Sequence, residues 1–250
     1  MFKIQVSFDS VAEIYDKTRG PPNHAMKQLI KTIANELKGY RIILDAGVGT
    51  GRFAKPLQDN GFKVVGIDIA GKMLNKAKEK GVGILLHGDA CFLPFKDNIF
   101  DAAVCIHLLH LVSGWEMVLQ EICRVTRETM LSITYASKNP VRQAYNRILK
   151  GYGYEKRRLG KGEWELKELV KPSKSVFATA FDNSVDELIE HLSQRAYSGQ
   201  WEISEDINKK VVDELRLRFS GKVFSAELRV LVWDIEDLKD YCSPFKSASS

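Results

Sequence analysis

The run Arg41-Ile42-Ile43-Leu44-Asp45-Ala46-Gly47-Val48-Gly49-Thr50-Gly51-Arg52 passes from an apolar, strand-like segment straight into three glycines at alternate positions. Glycine adopts backbone conformations closed to other residues, so such a loop turns sharply and brings its N–H groups against a ligand. The spacing is GxGxG, whereas nicotinamide and flavin dinucleotide sites use GxGxxG. No Gly-Lys-Ser/Thr follows, as a P-loop requires. The loop favours a ligand without a pyrophosphate, against the plainer alternative of a glycine turn that binds nothing.

Outward from this loop the chain alternates. Phe53 to Asn60 reads as a short helix, Phe62 to Asp68 as a strand, and Lys72 to Lys80 as a helix. Val82 to His87 and Phe100 to Ile106 read as further strands, Trp115 to Ile122 as an amphipathic helix, and Met130 to Tyr135 as a fifth strand. Upstream, Met26, Leu29, Ile30, Ile33 and Leu37 share one helical face. Such alternation predicts an α/β fold with a parallel sheet and crossover helices. After Ser137 the regularity breaks. Residues 138–172 read as an excursion from the sheet, followed by a sixth strand at 176–180, helices over 185–197 and 207–219, and a seventh strand over 226–235. The expected organisation is a cofactor-binding core (1–137 with 223–240), an inserted cap or substrate lobe (138–222) and a frayed tail (241–250).

Two acids fall at strand ends beyond the loop. Asp68 ends the second strand, where a carboxylate accepts hydrogen bonds from ribose hydroxyls. Asp89 and Ala90 follow the third, where an acid and a backbone N–H suit an adenine edge. Ligands of open α/β sheets bind at the carboxyl ends of the strands, so these positions reinforce one another.

The runs LDAGVGTGR (44–52), GIDIAGKML (66–74), GDACFLPF (88–95), FDAAVCIHLLHLV (100–112) and EICRV (121–125) occur in a meaningful order. Together they resemble class I S-adenosylmethionine-dependent methyltransferases, in particular the small-molecule branch typified by ubiquinone- and menaquinone-biosynthesis enzymes. The segment Phe8-Asp9-x-x-Ala12-x-x-Tyr15-Asp16-x-x-Arg19 resembles that branch's opening helix. The resemblance implies a Rossmann-like, seven-stranded, mostly parallel sheet with helices on both faces and a helical cap inserted after strand five. It implies S-adenosylmethionine as cofactor, with Tyr15 and Arg19 closing over its methionine end and Arg19 pairing with the carboxylate. Asp45, Ala46, Gly47, Gly49, Thr50 and Gly51 would line the amino-acid half, and Asp68 would hold the ribose. Ile69 and Met73 would lie near the adenine, with Asp89 and Ala90 reading its edge. The sequence departs from the family's Lys-Pro-Gly-Gly turn before the fifth strand, having Arg127-Glu128-Thr129 there.

His107 and His110 follow the fourth strand. His110 is the candidate base for an acceptor that arrives protonated, and His107 a contact for the cofactor's methionine end. Arg195, Tyr197 and Trp201, between the two late helices, are candidate acceptor contacts. The stretch Lys150–Lys174 interleaves Lys and Arg with Tyr152, Tyr154 and Trp164. It reads as a solvated lid, with RNA or protein methylation as the alternative.

The net charge of +5 permits nucleic-acid contact without demanding it. Four cysteines without metal-like spacing and the lack of a signal-type opening or a long apolar run point to a metal-free, cytoplasmic protein. The fourth strand lacks the Asn/Asp-Pro-Pro-aromatic motif expected for methylation of exocyclic base amines, and no Pro-Cys pair is present for attack on cytosine. The expected activity is methyl transfer to a small-molecule acceptor by in-line displacement. A non-catalytic cofactor-binding module is the other alternative.

Overall fold

The computed structural model describes residues 8–154 and 159–246. Seven strands form one sheet: β1 (Ile42–Ala46), β2 (Lys63–Asp68), β3 (Ile84–His87), β4 (Phe100–Cys105), β5 (Thr126–Tyr135), β6 (Lys174–Ser184) and β7 (Val223–Asp234). Their order is β3-β2-β1-β4-β5-β7-β6. β7 runs antiparallel to both its neighbours, and the other pairings are parallel.

Helices cover both faces, which is why the strands read as nearly continuous apolar runs. Adjacent β1 residues face opposite ways. Leu44 joins a core shared with α5 (Trp115–Val125) and α10 (Ile235–Lys246). Ile43 joins one shared with α2 (Asn23–Glu36), α3 (Ala54–Asp59) and α4 (Gly71–Glu79). The chain builds β1, β2 and β3 toward one edge, then returns to lay β4 on the other side of β1. This reversal leaves a crevice at the carboxyl ends of β1 and β4.

One local expectation is corrected and two segments are filled in. Residues 138–172 contain two helices, α6 (Pro140–Gly151) and α7 (Glu163–Leu169). Val141, Ala144, Tyr145 and Leu149 of α6 are buried at helical spacing, but a small alanine and a polar-tipped tyrosine dilute the apolar signal. Residues 241–246, expected as the start of a frayed tail, complete α10, which buries Leu238 and Cys242. Arg127-Glu128-Thr129 forms no turn, since β5 begins at Thr126 directly after α5. Arg127 there pairs with Asp101 at 2.7 Å, and Asp101 also accepts from the N–H groups of Arg41 and Ile42.

α6, α8 (Val185–Ser193) and α9 (Glu205–Phe219) enclose an apolar cluster of their own. At its centre is a buried polar network. The Tyr145 hydroxyl donates to Asn208 Oδ1 at 2.5 Å, and Gln200 Nε2 donates to Asn208 Oδ1 and to the Leu192 carbonyl. No helix among the described residues is long and apolar enough to cross a membrane.

Candidate functional site

The glycine loop sits at the crevice. Gly47, Gly49 and Gly51 have φ of 75°, 53° and 72°, a region that disfavours any side chain. Their surroundings differ. A Cβ on Gly51 would lie 2.7 Å from Val82 Cγ2, so this glycine serves packing of the loop on α4 and the connection that follows it. A Cβ on Gly49 would approach only the Met73 methyl, at 3.4 Å, and the Gly47 carbonyl, at 4.0 Å. It would otherwise project into open space, the side a ligand would fill.

Asp68 holds this loop in place. One of its oxygens accepts from the Gly49 N–H and the other from the Ala70 N–H, both at 2.8 Å. Burial pushes its carboxyl up, against the pull of those N–H groups. Asp45, deep at the end of β1, is pushed up to about 7 by burial and by the neighbouring Asp68 charge. Ile69 is 40% exposed, although large and apolar, while Met73 beside it is buried with Ala12 and Ala70. Asp89 uses one oxygen to accept from the Cys91 N–H at 2.9 Å, and Ala90 is buried.

A short N-terminal segment lies over the loop. It contains a 3-10 turn (Phe8–Val11) and α1 (Tyr15–Thr18). Thr50, 1% exposed, donates to Asp16 at 2.7 Å, so its hydroxyl latches this segment down. Arg52 pairs with Asp16 at 3.2 Å, and Lys80 also reaches it. Burial alone would raise the Asp16 carboxyl, but the bonds from Lys80 and Thr50 prevail and hold it below its usual range. Arg19 lies 5.3 Å from the Tyr15 ring and 4.2 Å from the Tyr197 ring. Its Nη2 donates to the Ala196 carbonyl at 2.6 Å, while Nη1 is buried without a hydrogen-bond partner.

A strained residue follows β4. His107 has φ 59°, rare for a non-glycine residue and concentrated at functional sites. Its N–H donates to Glu163 Oε1 at 2.7 Å, so α7 holds the strained conformation. The His107 ring is open to solvent yet surrounded by protein, the combination that a concave site produces. That enclosure, followed by the charges of Arg142, Arg52 and Arg19, depresses it to about 4, so it is neutral at pH 7. His110 lies 6.2 Å from His107 between ring centroids. Glu163 is 7% exposed; burial raises its carboxyl, and the His110 charge opposes that rise. Gly160 explains the close approach of this segment. A Cβ there would lie 2.2 Å from the Leu109 carbonyl.

The late candidates separate. Tyr197 stands between two guanidinium groups, with Arg19 at 4.2 Å and Arg142 at 3.9 Å from its ring. Trp201 packs on Phe8 at 5.4 Å and donates through Nε1 to the Arg195 carbonyl. Arg195 is turned into its own connection, where Nη2 donates to the carbonyls of Gln200, Trp201 and Ile203. With φ 51° it closes α8, a place that usually falls to glycine. Arg195 thus spends Nη2 on its own connection, while its Nε is buried without a hydrogen-bond partner.

Asp16, Arg52, Tyr135, Arg142 and Glu163 were given no role by sequence reasoning. Asp16 lay within the opening motif, and the paired glycines of Gly160-Lys161-Gly162, to which the sequence reading gave no meaning, are the only local signal near Glu163. Arg142 and Tyr135 had no local signal.

These residues fit S-adenosylmethionine. The unpartnered Arg19 Nη1 suits a carboxylate, the Gly49 space suits a ligand approaching the backbone, and the exposed Ile69 suits a ring. Asp45 and Asp68 supply acids for cationic and hydroxyl groups.

Residues 44–130 match the methyltransferase domain family. A demethylmenaquinone methyltransferase of Renibacterium salmoninarum is 30% identical over 156 residues, covering 59% of this chain and 65% of that protein. The chain thus spans less than two thirds of that relative's length, and about half of some others. A solved magnesium protoporphyrin IX methyltransferase from Synechocystis, with bound S-adenosylhomocysteine, is 15% identical and superposes with a TM-score of 0.53, covering 90% of this chain and 95% of that one. A [4+2]-cyclase, SpnF, is 18% identical with a TM-score of 0.54, covering 93% and 97%. The sheet order, the glycine loop at its reversal and the family match agree: residues 44–130 are similar to the methyltransferase domain family and lie in a Rossmann-like sheet.

Proposed function

We propose that this protein is an S-adenosylmethionine-dependent methyltransferase acting on a small-molecule acceptor. The observation that carries the reading is the buried, unpartnered Arg19 Nη1 beside a glycine loop whose middle residue, Gly49, faces open space. When bound, the cofactor supplies a sulfonium methyl: an acceptor lone pair bonds to that carbon as the carbon–sulfur bond breaks and its electrons stay on sulfur.

The chain's own residues position the two reactants, which can account for much of the rate in such a displacement. Arg19 and the glycine loop fix the amino-acid end, and Asp68 orders the loop while facing the ribose position. The N-terminal segment, latched through Asp16, limits water entry. His110, backed by the Glu163 carboxylate, takes the proton of an acceptor that arrives protonated, and His107 stays neutral beside it. Within the 150–174 stretch Lys167 lies over the Trp164 ring, which occupies an aromatic face a base would need and supports the lid reading over RNA binding.

The fold also carries a cyclase, so fold alone does not decide turnover. Calorimetry with S-adenosylmethionine and S-adenosylhomocysteine, followed by transfer assays with methyl-labelled cofactor, tests the proposal. His110→Ala is expected to lower kcat by roughly a hundredfold on a protonated acceptor, with cofactor affinity within about twofold. Bound cofactor that never yields labelled product would leave only the binding module.

A further inference from the structure

Three arginines meet at the crevice and share too few acids. Arg52 is paired with Asp16, but among the described residues no carboxylate pairs with Arg19 or Arg142. If the cofactor's carboxylate takes Arg19, Arg142 still has none.

The placement of Arg142 is unusual in a second way. It lies in the first turn of α6, three residues after Asn139, whose side chain caps the helix by accepting from the Arg142 N–H at 3.0 Å. Helix N-termini carry partial positive charge and favour acids. The other helices between β5 and β7 obey this, with Glu163 and Glu165 in α7, Asp186 and Glu187 in α8, and Glu205 and Asp206 in α9. α6 has no acid there. Its first turn carries a guanidinium instead, and among the described residues no acid pairs with it.

That guanidinium lies in the crevice. The Arg142 guanidinium stacks 3.9 Å from the Tyr197 ring, and it is the foremost charge acting on both His107 and Tyr135. Arg142 is itself exposed, so its donors are open to a ligand.

We propose that Arg142, stacked on Tyr197 at the amino end of α6, is the recognition site for an anionic group, a carboxylate or phosphate, on the acceptor. The proposal rests on the methyl-transfer reading and names the acceptor's class within it. Arginine presents paired donors in a plane that matches either acid, and the tyrosine ring fixes that plane. The reacting atom then lies at the His107–His110 side, away from the acid group.

The test uses the full chain, methyl-labelled S-adenosylmethionine and a small-metabolite extract separated by ion exchange into anionic and non-anionic pools. Label is expected in the anionic pool, with a KM that rises with ionic strength. On that acceptor Arg142→Gln should lower kcat/KM by about tenfold or more, and Arg142→Lys should recover part of the loss. Arg147→Gln, on the same helix, serves as a control and should behave as wild type. S-adenosylhomocysteine affinity should stay within about twofold in all three variants. Label confined to the non-anionic pool would overturn the acid-recognition proposal while leaving methyl transfer intact. So would an Arg142→Gln variant that turns over the anionic acceptor at the wild-type rate. Failure of the wild type to bind cofactor, or to label either pool, would overturn the methyl-transfer reading and this proposal with it.

Discussion

The sheet core and the α6–α8–α9 unit are both buried, but they are built differently. The sheet core is mostly apolar on both faces, and its buried hydroxyls, such as Thr129 and Ser132, each donate singly to a strand carbonyl. The helical unit keeps its polar groups inside, where Tyr145, Gln200 and Asn208 satisfy one another and the Leu192 carbonyl. An apolar core tolerates changes of shape and volume, whereas a buried polar network depends on every member having a partner. The helical unit therefore depends on its polar partners in a way that the sheet core does not.

The largest expected effect falls on the platform. Gly49→Val should reduce cofactor affinity by roughly a hundredfold or more, because the branched side chain enters the open side of the loop and resists a positive φ. Calorimetry on the folded variant checks this, and normal binding would remove the loop from the site. Asn208→Ala should cost about 2 kcal/mol by orphaning the Tyr145 hydroxyl and an amide hydrogen of Gln200. Hydrogen exchange should show the loss in α6, α8 and α9, with α2 to α5 unaffected. Uniform acceleration across the chain would mean that the two regions fold as one unit.

Asp45 offers a smaller, pH-dependent effect. Its folded pKa of about 7 lies above that of the unfolded chain, so its contribution to stability is complete at acid pH and is lost as pH rises through 7. Asp45→Asn should flatten that slope in urea titrations. A cationic ligand group favours the ionised acid, so cofactor affinity should rise with pH by up to about tenfold per unit below 7. Flat affinity between pH 6 and 8 would separate Asp45 from the ligand. The smallest effect is expected at the join. Trp201→Ala removes the contact with Phe8 and should cost about 1 kcal/mol, seen as faster exchange over residues 8–19. If exchange there is unchanged, the N-terminal segment is held by its polar contacts, those of Asp9, Asp16 and Arg19.

Asp68 shows how far the sequence could be read. Its position at a strand end beside a glycine loop was legible, because a strand and a tight turn are local events with local signals. That its carboxylate would grip the Gly49 and Ala70 amides was not. The bond joins two loops on different strands, and only the sheet register, Asp45 beside Gly66 and Ala46 beside Ile67, brings them together. An Asp68→Ala variant therefore perturbs loop geometry as well as any ribose contact.

The amino-acid sequence by itself determined the parallel sheet, the loop at its reversal and the opening motif with Tyr15 and Arg19. Those features repeat at short range, with apolar runs, glycine spacing and acids at strand ends. Tertiary structure alone decided that Arg195 closes a helix, that Glu163 holds His107 in a strained conformation, and that Arg142 meets Arg19 across the Tyr197 ring. A charged side chain carries the same letter whether it caps, pairs or waits for a ligand. Its role follows from which carbonyls, acids and rings the folded chain places within reach, and those come from distant parts of the sequence.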